Sequence, residues 1–326
     1  MKETYVKKFD NSHPAIIAIG QSTVDINFSI VETIKENHKY RAEHKIMEVG
    51  GPAANAAAVM ARWGDPGTVY LGSAIGNDIF GDYIRKALSG FGIADNYLFS
   101  DEEIPTPISN IVTNSVNGAR TIINHRLAVD SYPVRIFEGN NWAAMLCDGH
   151  CADAALAFIT DHPDVPSILD AGSLHSGTEK LCSEVQFLIG SVHYASAVSG
   201  VPIEEIEYGS GTQRVIDKVL KHAGQCVAIT CGEKGAWFFH PDTGYGRIRA
   251  IDASATDTTA AGDIFHGAFA FCIAEGMNFT ESMMNATIAA GLSTERRGGM
   301  SSIPDYREVK AFRANIDLSD YIEYYN

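Results

Sequence analysis

The segment DTTAAGDIFHGAF, residues 257–269, is the most informative stretch of the sequence for both fold and chemistry. It places three small residues, Ala260, Ala261 and Gly262, directly before an acid, Asp263, and an apolar helical pattern follows. Small side chains let backbone N–H groups approach a ligand closely, and the N-terminus of the helix favours an anion there. A carboxylate beside an anion site can accept a proton from a hydroxyl, so Asp263 is a candidate general base. The spacing also fits a capping or first-turn acid with a purely structural role.

A second small-residue segment, GGPAANAAAVMARWG at residues 50–64, contains a predicted helix that starts at Pro52 and stops at Gly64. The paired glycines that end in Gly51 permit a tight backbone approach to a ligand. Asn55 is a lone amide in the first turns of an otherwise small and apolar helix. It fits either a buried structural contact or a contact with a ligand.

Two further sites follow short apolar strands. Asp25 lies just past the first predicted strand, at the edge where an open α/β sheet binds ligands, and its carboxylate would suit a sugar hydroxyl. In TCGEKGAWFF, residues 230–239, Gly232 and Gly235 flank a turn that fits either the border of a nucleotide or a plain hairpin. The sequence has no Gly-Lys dipeptide and therefore no P-loop.

Short apolar runs alternate with helical stretches along the chain, which predicts an α/β fold with a doubly wound, mostly parallel sheet in a single domain over residues 1–326. Two early segments break this alternation, and the second has Asn117-Gly118 near a hairpin turn. We interpret residues 26–50 and 107–126 as a small β-sheet lid; the alternative is a pair of ordinary surface excursions.

The composition argues against several classes of binding partner and site. The chain has 326 residues and a formal net charge of −15, which argues against binding nucleic acid or an anionic membrane. Its six cysteines include no CxxC pair, which predicts buried reduced thiols rather than a zinc site. The N-terminus has no apolar signal-peptide core and no apolar run reaches about 18 residues, so we expect a cytoplasmic protein.

Taken together, these segments resemble the ribokinase-like (pfkB) family of carbohydrate kinases. The resemblance runs in order over most of the chain, through IGQSTVDIN, EVGGPAANAAAVMARWG, LGSAIGNDIFGDYIRKALSGFGI, ARTI, ILDAG, TCGEKG and DTTAAGDIFHGAF. The two glycine-rich segments look like the two signature patterns of the family, and the second is the more specific. The resemblance implies a ribokinase-like fold and an ATP-dependent kinase of a small sugar.

The resemblance also implies roles for individual residues. Asp263 would be the base, while Ala261 and Gly262 would supply N–H groups to the transferring phosphate. Asp25, Gly51 and Asn55 would hold sugar hydroxyls. The nucleotide would be bordered by Ala260, Thr230, Gly232 and Gly235.

The segment STERRGGMSS, residues 293–302, is similar to a loop that binds a monovalent cation in several family members. The matching positions are Asp257, Thr259, Ser293, Arg296, Gly298 and Ser302, and the expected ion is potassium. On the alternative view this segment is only a helix C-terminus with arginines against the helix dipole and a glycine stop.

One departure from the family pattern concerns magnesium. An Asn-x-x-Glu motif that helps to hold the ion is replaced here by Ser191 and Tyr194, and a neutral phenol cannot supply a carboxylate charge. We therefore expect Mg²⁺ to be held mainly through the phosphates of ATP.

The segments GGPAANAA, RTIINHR and DIFHGAF look most similar to ketohexokinase-like members of the family and their sulfosugar-kinase relatives. This resemblance implies phosphorylation of a ketose such as fructose, and the alternatives are a ribokinase, a nucleoside kinase or a non-catalytic sugar- or nucleotide-binding relative. Arg126, at the end of the predicted hairpin, is a candidate for the substrate, although it also fits a solvated lid residue. Asp148 ends another strand and is a further candidate for the sugar pocket. Exposed lid strands would allow a homodimer.

Overall fold

A computed structural model describes residues 14–116, 119–125, 137, 140–209, 211–222 and 225–325. Its strands are β1 (Ala15–Ile19), β2 (Thr23–Ile30), β3 (His44–Gly50), β4 (Val69–Gly76), β5 (Leu98–Asp101), β6 (Ile108–Asn114), β7 (Arg120–His125), β8 (Trp142–Cys147), β9 (Ser167–Ala171), β10 (Phe187–Ser191), β11 (Cys226–Thr230), β12 (Ala236–His240), β13 (Gly244–Ile248) and β14 (Ile322–Tyr325). Its α-helices are α1 (Pro52–Trp63), α2 (Ile79–Phe91), α3 (Ala152–Asp161), α4 (Ser176–Leu181), α5 (Val192–Ser199), α6 (Ile203–Glu207), α7 (Thr212–Leu220), α8 (Ala261–Ala274), α9 (Phe279–Thr294) and α10 (Tyr306–Ala314).

The main sheet has the strand order β14-β13-β12-β11-β10-β9-β8-β1-β4-β5. Its strands pair in parallel from β5 through β11, while β12, β13 and β14 are antiparallel to their neighbours. The chain first runs from β1 to β4 and β5 and then crosses to β8 on the other side of β1. Ligands bind such sheets at the carboxyl ends of the strands where the order reverses, which here means the ends of β1 and β8.

Apolar cores cover both faces of the main sheet. On one face α1, α8 and α9 contribute buried residues, and on the other α3, α5 and α7 do so. The strands between them are buried on both sides, and this accounts for continuous apolar runs such as AIIAI in β1. The predicted α/β class, with a mostly parallel sheet, is confirmed.

Small residues bring α1 and α8 close together. A Cβ on Gly267 would lie 2.6 Å from the carbonyl oxygen of Ala56, so glycine is required at this crossing. Alanines and Asn55 fill most of the buried face of α1, which leaves little side-chain bulk between the two helices. The close packing places Asn55 beside the first turn of α8.

A smaller sheet has the strand order β3-β2-β6-β7. β2 pairs in parallel with β6 and in antiparallel register with β3, while β6 and β7 form an antiparallel hairpin. These strands lie largely in the segments predicted to form a lid. The predicted turn at Asn117-Gly118 and the candidate Arg126 lie outside the described residues. Movement of this sheet as a lid stays a prediction.

All six cysteines fall in the described ranges, and each is buried and free of a disulfide, as predicted. Among the described residues, no helix is both long enough and apolar enough to cross a membrane.

Candidate active site

The N-terminus of α8 forms an open cradle of backbone amides. Ala260 precedes the helix in the left-handed region, with φ of 58°, and this turns the chain sharply into the first helical residue. The first N–H groups of a helix have no carbonyl partner within it, so that of Gly262 is available to an anion. The N–H of Ala261 lies 3.3 Å from the carbonyl oxygen of Thr258 and would have to leave it to reach a ligand. A Cβ built on Gly262 would meet nothing within 4 Å, which shows that this position faces open space.

Asp263 lies in the first turn of α8 and is partly buried. Its Oδ2 accepts a hydrogen bond of 2.6 Å from Nδ2 of Asn55. Burial, together with the negative charge of Asp170, raises the pKa of Asp263 to about 7, although the bond from Asn55 opposes this shift. A carboxylate that titrates near neutrality is well matched to the task of a general base at physiological pH.

Asp25, on β2, presents a polar atom that the protein leaves without a partner. Its Oδ1 is buried and makes no hydrogen bond, and the same holds for Oδ1 of Asn55. The pKa of Asp25 is raised overall, mainly by burial and also by the charge of Glu48, although a hydrogen bond from Ser109 opposes this shift. Because buried polar atoms in proteins are nearly always paired, two orphan acceptors indicate places for ligand hydroxyls.

Two adjacent glycines permit close packing beside Asp25, one against its carboxylate and the next against the backbone of Gln21. A Cβ on Gly50 would lie 2.1 Å from Oδ2 of Asp25. Gly51 has a φ of 96°, and a Cβ there would lie 2.5 Å from the carbonyl oxygen of Gln21. Glycine is therefore required at position 51, since a larger residue would displace the backbone of Gln21, whereas the predicted contact of Gly51 with a sugar stays a prediction.

A cavity of about 730 Å³ lies between the smaller sheet and the loops that flank α8. Residues lining it include Asp25, Asn27, Glu48, Asn55, Arg120, Asp257, Thr259 and Gly298. Asp25 and Asn55 thus share one cavity with the residues of the predicted cation loop.

Asp148, a predicted contact of the sugar, accepts hydrogen bonds from several groups within the protein. It is 4% exposed, and its Oδ2 accepts from the backbone N–H groups of Gln21 and Ala53 at 2.9 and 3.1 Å. Its Oδ1 lies 2.8 Å from the backbone nitrogen and 3.2 Å from Nδ1 of His150. These contacts tie the ends of β1 and β8 to the start of α1, and they favour a positioning role over direct contact with the sugar.

Three of the four residues predicted to border the nucleotide lie at the connection from β11 to β12, whereas Ala260 precedes α8. Gly232 is in the left-handed region with open space around its Cα, whereas a Cβ on Gly235 would lie 2.0 Å from the carbonyl oxygen of Ile248. Thr230 Oγ1 donates to the carbonyl oxygen of Gly190, at 3.4 Å. The two strands pair as a hairpin. A role of this turn in nucleotide binding stays a prediction.

The predicted cation loop is partly assembled. Asp257 accepts bonds from the N–H of Gly298 at 3.0 Å and from the N–H and hydroxyl of Thr259 at 2.9 and 2.7 Å. Burial opposes ionisation of Asp257, but these bonds and the nearby Arg120 lower its pKa overall. An ionised carboxylate offers the oxygen ligands that hard cations prefer, and binding of a monovalent cation here stays a prediction.

The other three predicted cation residues use their side chains within the protein. Ser293 and Ser302 donate to the carbonyl oxygens of Ala290 and Gly299. Arg296 pairs with Glu308 of α10. A role of these three residues in binding a cation stays a prediction.

In the segment that departs from the family pattern, the phenol of Tyr194 points away from the site. Ser191 caps α5 by accepting the N–H of Tyr194, and it donates to the carbonyl oxygen of Gly172. Tyr194 is 1% exposed and belongs to an apolar core. Among the described residues there is no group of three or more His, Cys, Asp or Glu side chains arranged to hold a metal ion.

Several residues of the site were not predicted. Glu48 of β3 accepts from the N–H of Gly299 and the hydroxyl of Ser301, and Arg120 of β7 donates to Thr259. These bonds connect the smaller sheet to both loops beside α8. Two other unpredicted side chains, Asp170 and His266, lie close to Asp263. Of these, Asp170 carries a recognisable signal, because it stands near the end of the apolar strand in ILDAG.

Comparisons with known proteins agree with this geometry. The family model described as "pfkB family carbohydrate kinase" matches residues 14–306. The ribokinase of Arabidopsis thaliana is 27% identical over 92% of this chain and 81% of its own length. A deoxyribokinase of Salmonella typhi is 24% identical over 91% of this chain and 98% of its own.

A solved structure gives the same result. The structure of Arabidopsis thaliana ribokinase complexed with ribose and ATP has a TM-score of 0.79 and 25% identity, and the match covers 93% of this chain and 99% of that one. The chain therefore belongs to the pfkB family of carbohydrate kinases. Both the ribokinase-like fold and the class of enzyme, an ATP-dependent carbohydrate kinase, are confirmed.

Proposed function

We propose that this protein transfers the γ-phosphoryl group of ATP to a hydroxyl of a free sugar, with ribose as the preferred acceptor. The observation that carries the proposal is the pairing of Asp263 with Asn55 at the open N-terminus of α8. A base, an anion cradle and two orphan acceptors for sugar hydroxyls then lie within one region of the molecule. A pure binding protein would have no need of the base.

The choice of sugar rests on the relatives. The sequence patterns favoured a ketose such as fructose, with ribose as an alternative. The similar proteins are named as ribokinases and a deoxyribokinase, and one of them was solved with ribose and ATP. These names support the ribose alternative better than the ketose.

Each residue has one task in the proposed reaction. Asp25 and Asn55 accept hydrogen bonds from sugar hydroxyls and orient the reacting oxygen. Asp263 takes the proton of that hydroxyl as the oxygen attacks the γ-phosphorus. The amides of Ala261 and Gly262 stabilise the charge on the transferring group, which is the main source of rate in phosphoryl transfer. Thr230, Gly232 and Gly235 are proposed to border the nucleotide.

Magnesium would supply charge neutralisation between the phosphates of ATP. Since Tyr194 is buried and Ser191 caps a helix, we propose that the phosphates provide most of its ligands. A homodimer through the smaller sheet and a cytoplasmic location stay predictions from the sequence.

A panel of acceptors tests the assignment of substrate. ADP release with saturating ATP should give a higher kcat/KM for ribose than for deoxyribose, fructose or adenosine. We expect the best and worst of these to differ by about 10²-fold or more, because a site built to bind hydroxyls discriminates strongly against analogues that lack or misplace them. A higher kcat/KM for fructose or adenosine would contradict the ribose assignment while leaving the kinase reaction intact.

Potassium activation tests the loop of residues 293–302. Replacing a large organic cation by potassium at constant ionic strength should raise the rate by about fivefold or more, within the usual range of coupling between two binding sites. The Asp257→Asn variant should lose most of this response, since its amide cannot supply a negative charge. An equal rate with all monovalent cations would remove this site from the account.

A further inference from the structure

His266, one turn along α8 from Gly262, is buried with 4% exposure, and both ring nitrogens lie near oxygen atoms. Its Nδ1 is 2.7 Å from the carbonyl oxygen of Gly262 and 3.3 Å from Oδ2 of Asp170. Its Nε2 is 3.1 Å from the carbonyl oxygen of Ile189. A neutral imidazole carries one N–H and an imidazolium carries two. A ring with an acceptor at each nitrogen therefore favours a second proton, shared with the adjacent carboxyl group.

Asp170, near the end of β9, is the partner that can share this proton. It is 5% exposed, and burial together with the negative charge of Asp148 raises its pKa to about 8. Burial outweighs the two carbonyl groups and the charge of Asp263, so the pKa of His266 is lowered overall. Whichever group carries the proton, the two side chains together keep one at neutral pH, and their net charge is then zero.

The surroundings of the pair are strongly acidic. Asp263 faces it from α8, and Asp148 faces it from the end of β8, where His150 offsets part of the charge. From α1 the uncharged amide of Asn55 donates a hydrogen bond to Asp263. If Asp170 were ionised and its charge not neutralised, it would be a third carboxylate in this space. Its charge would lie beside the base, Asp263, and close to the cradle that receives a phosphate.

We propose that Asp170 and His266 form a buried, net-neutral pair that shares one proton and positions Asp263 for catalysis. The imidazole holds the first turn of α8 through the carbonyl of Gly262. The shared proton keeps an additional negative charge away from Asp263 and the transferring phosphoryl group. This inference rests on the proposed role of Asp263 as the base.

The proton can be measured in the free protein, without any assay of activity. NMR spectra of protein labelled with ¹⁵N-histidine and ¹³C-aspartate should show one proton on the pair at pH 7, lost as the pH rises through about 8. Asp170→Asn and His266→Asn variants identify the two resonances. A neutral imidazole beside an ionised carboxylate at pH 7 would overturn the proposal and would leave the kinase assignment standing.

The pH profile of kcat/KM gives a second readout, which a purely structural role would not produce. In the wild type, kcat/KM should fall at alkaline pH, by about tenfold for each pH unit above the pKa at which the pair loses its shared proton. In Asp170→Asn no carboxylate can form, so this alkaline fall should disappear while the rise with ionisation of Asp263 remains. Asp153→Asn, an exposed aspartate paired with Lys180, is the matched control and should keep both limbs. An unchanged alkaline limb in Asp170→Asn would contradict the proposal.

Discussion

Replacing Asp263 by Asn is expected to lower kcat by about 10²–10⁴, which is the usual contribution of a positioned general base. The amide keeps the size of the side chain but cannot accept the proton of the sugar hydroxyl. Sugar and ATP binding should change little, because neither the cradle nor Asp25 is altered. The measurement is kcat by ADP release, together with binding of each ligand by calorimetry.

A matched control separates catalysis from helix stability. Asp82 lies in the first turn of α2, is exposed and does not line the cavity. Asp82→Asn therefore makes the same chemical change at a similar helix position and should leave kcat within about twofold, as is usual for surface substitutions. Near wild-type turnover in Asp263→Asn would remove the base from the mechanism.

The second large effect is expected from Asp25→Ala. Each hydrogen bond between an ionised carboxylate and a sugar hydroxyl contributes about 1.5–3 kcal/mol, so kcat/KM for the sugar should fall by roughly 10–10²-fold or more. The KM for ATP should stay close to that of the wild type, since Asp25 lies on the smaller sheet rather than at the start of α8.

Asn110→Ala provides the control for this variant. Asn110 is on β6, opposite Ile26 of the same sheet, and its side chain is exposed and outside the cavity lining. Its replacement should leave kcat/KM for the sugar unchanged. If Asp25→Ala and Asn110→Ala behave alike, the orphan oxygen of Asp25 does not mark a sugar site.

The sequence predicts much of the fold because its signals are local. Continuous apolar runs predict the buried parallel strands, and Pro52 and Gly64 bound α1 closely. The hairpin of β6 and β7 follows from alternating residues on both sides of a turn signal. Small residues before Asp263 likewise predict an open helix N-terminus.

The parts of the site that were not predicted depend on contacts between distant segments. A carboxylate at a strand end suggests a ligand, yet Asp148 is saturated by backbone N–H groups that only the packing of β1 against α1 supplies. Tyr194 occupies a position that the family pattern gives to an acid, but it turns into the core. Glu48 accepts a hydrogen bond from the N–H of Gly299 only because the folded chain brings β3 to the loop that contains Gly299.

The pair of Asp170 and His266 shows the same limit. Asp170 lies in an apolar strand and His266 lies in an apolar helix, and the two are far apart in the sequence. Their contact exists because α8 packs against the ends of β9 and β10, where His266 meets Asp170 and Ile189. A lone histidine in an apolar helix carries no sign of its partner, so only the assembled fold identifies this pair.

Product stoichiometry tests whether a phosphoryl group passes from ATP to a free sugar with Asp263 as the base. Ribose and ATP are incubated with the wild type and with Asp263→Asn, and ADP and sugar phosphate are both quantified by ³¹P NMR. The account predicts equal amounts of the two products from the wild type and a rate of formation that is lower by about 10²–10⁴ in the variant. ADP without sugar phosphate from the wild type, or equal rates from the two proteins, would contradict it.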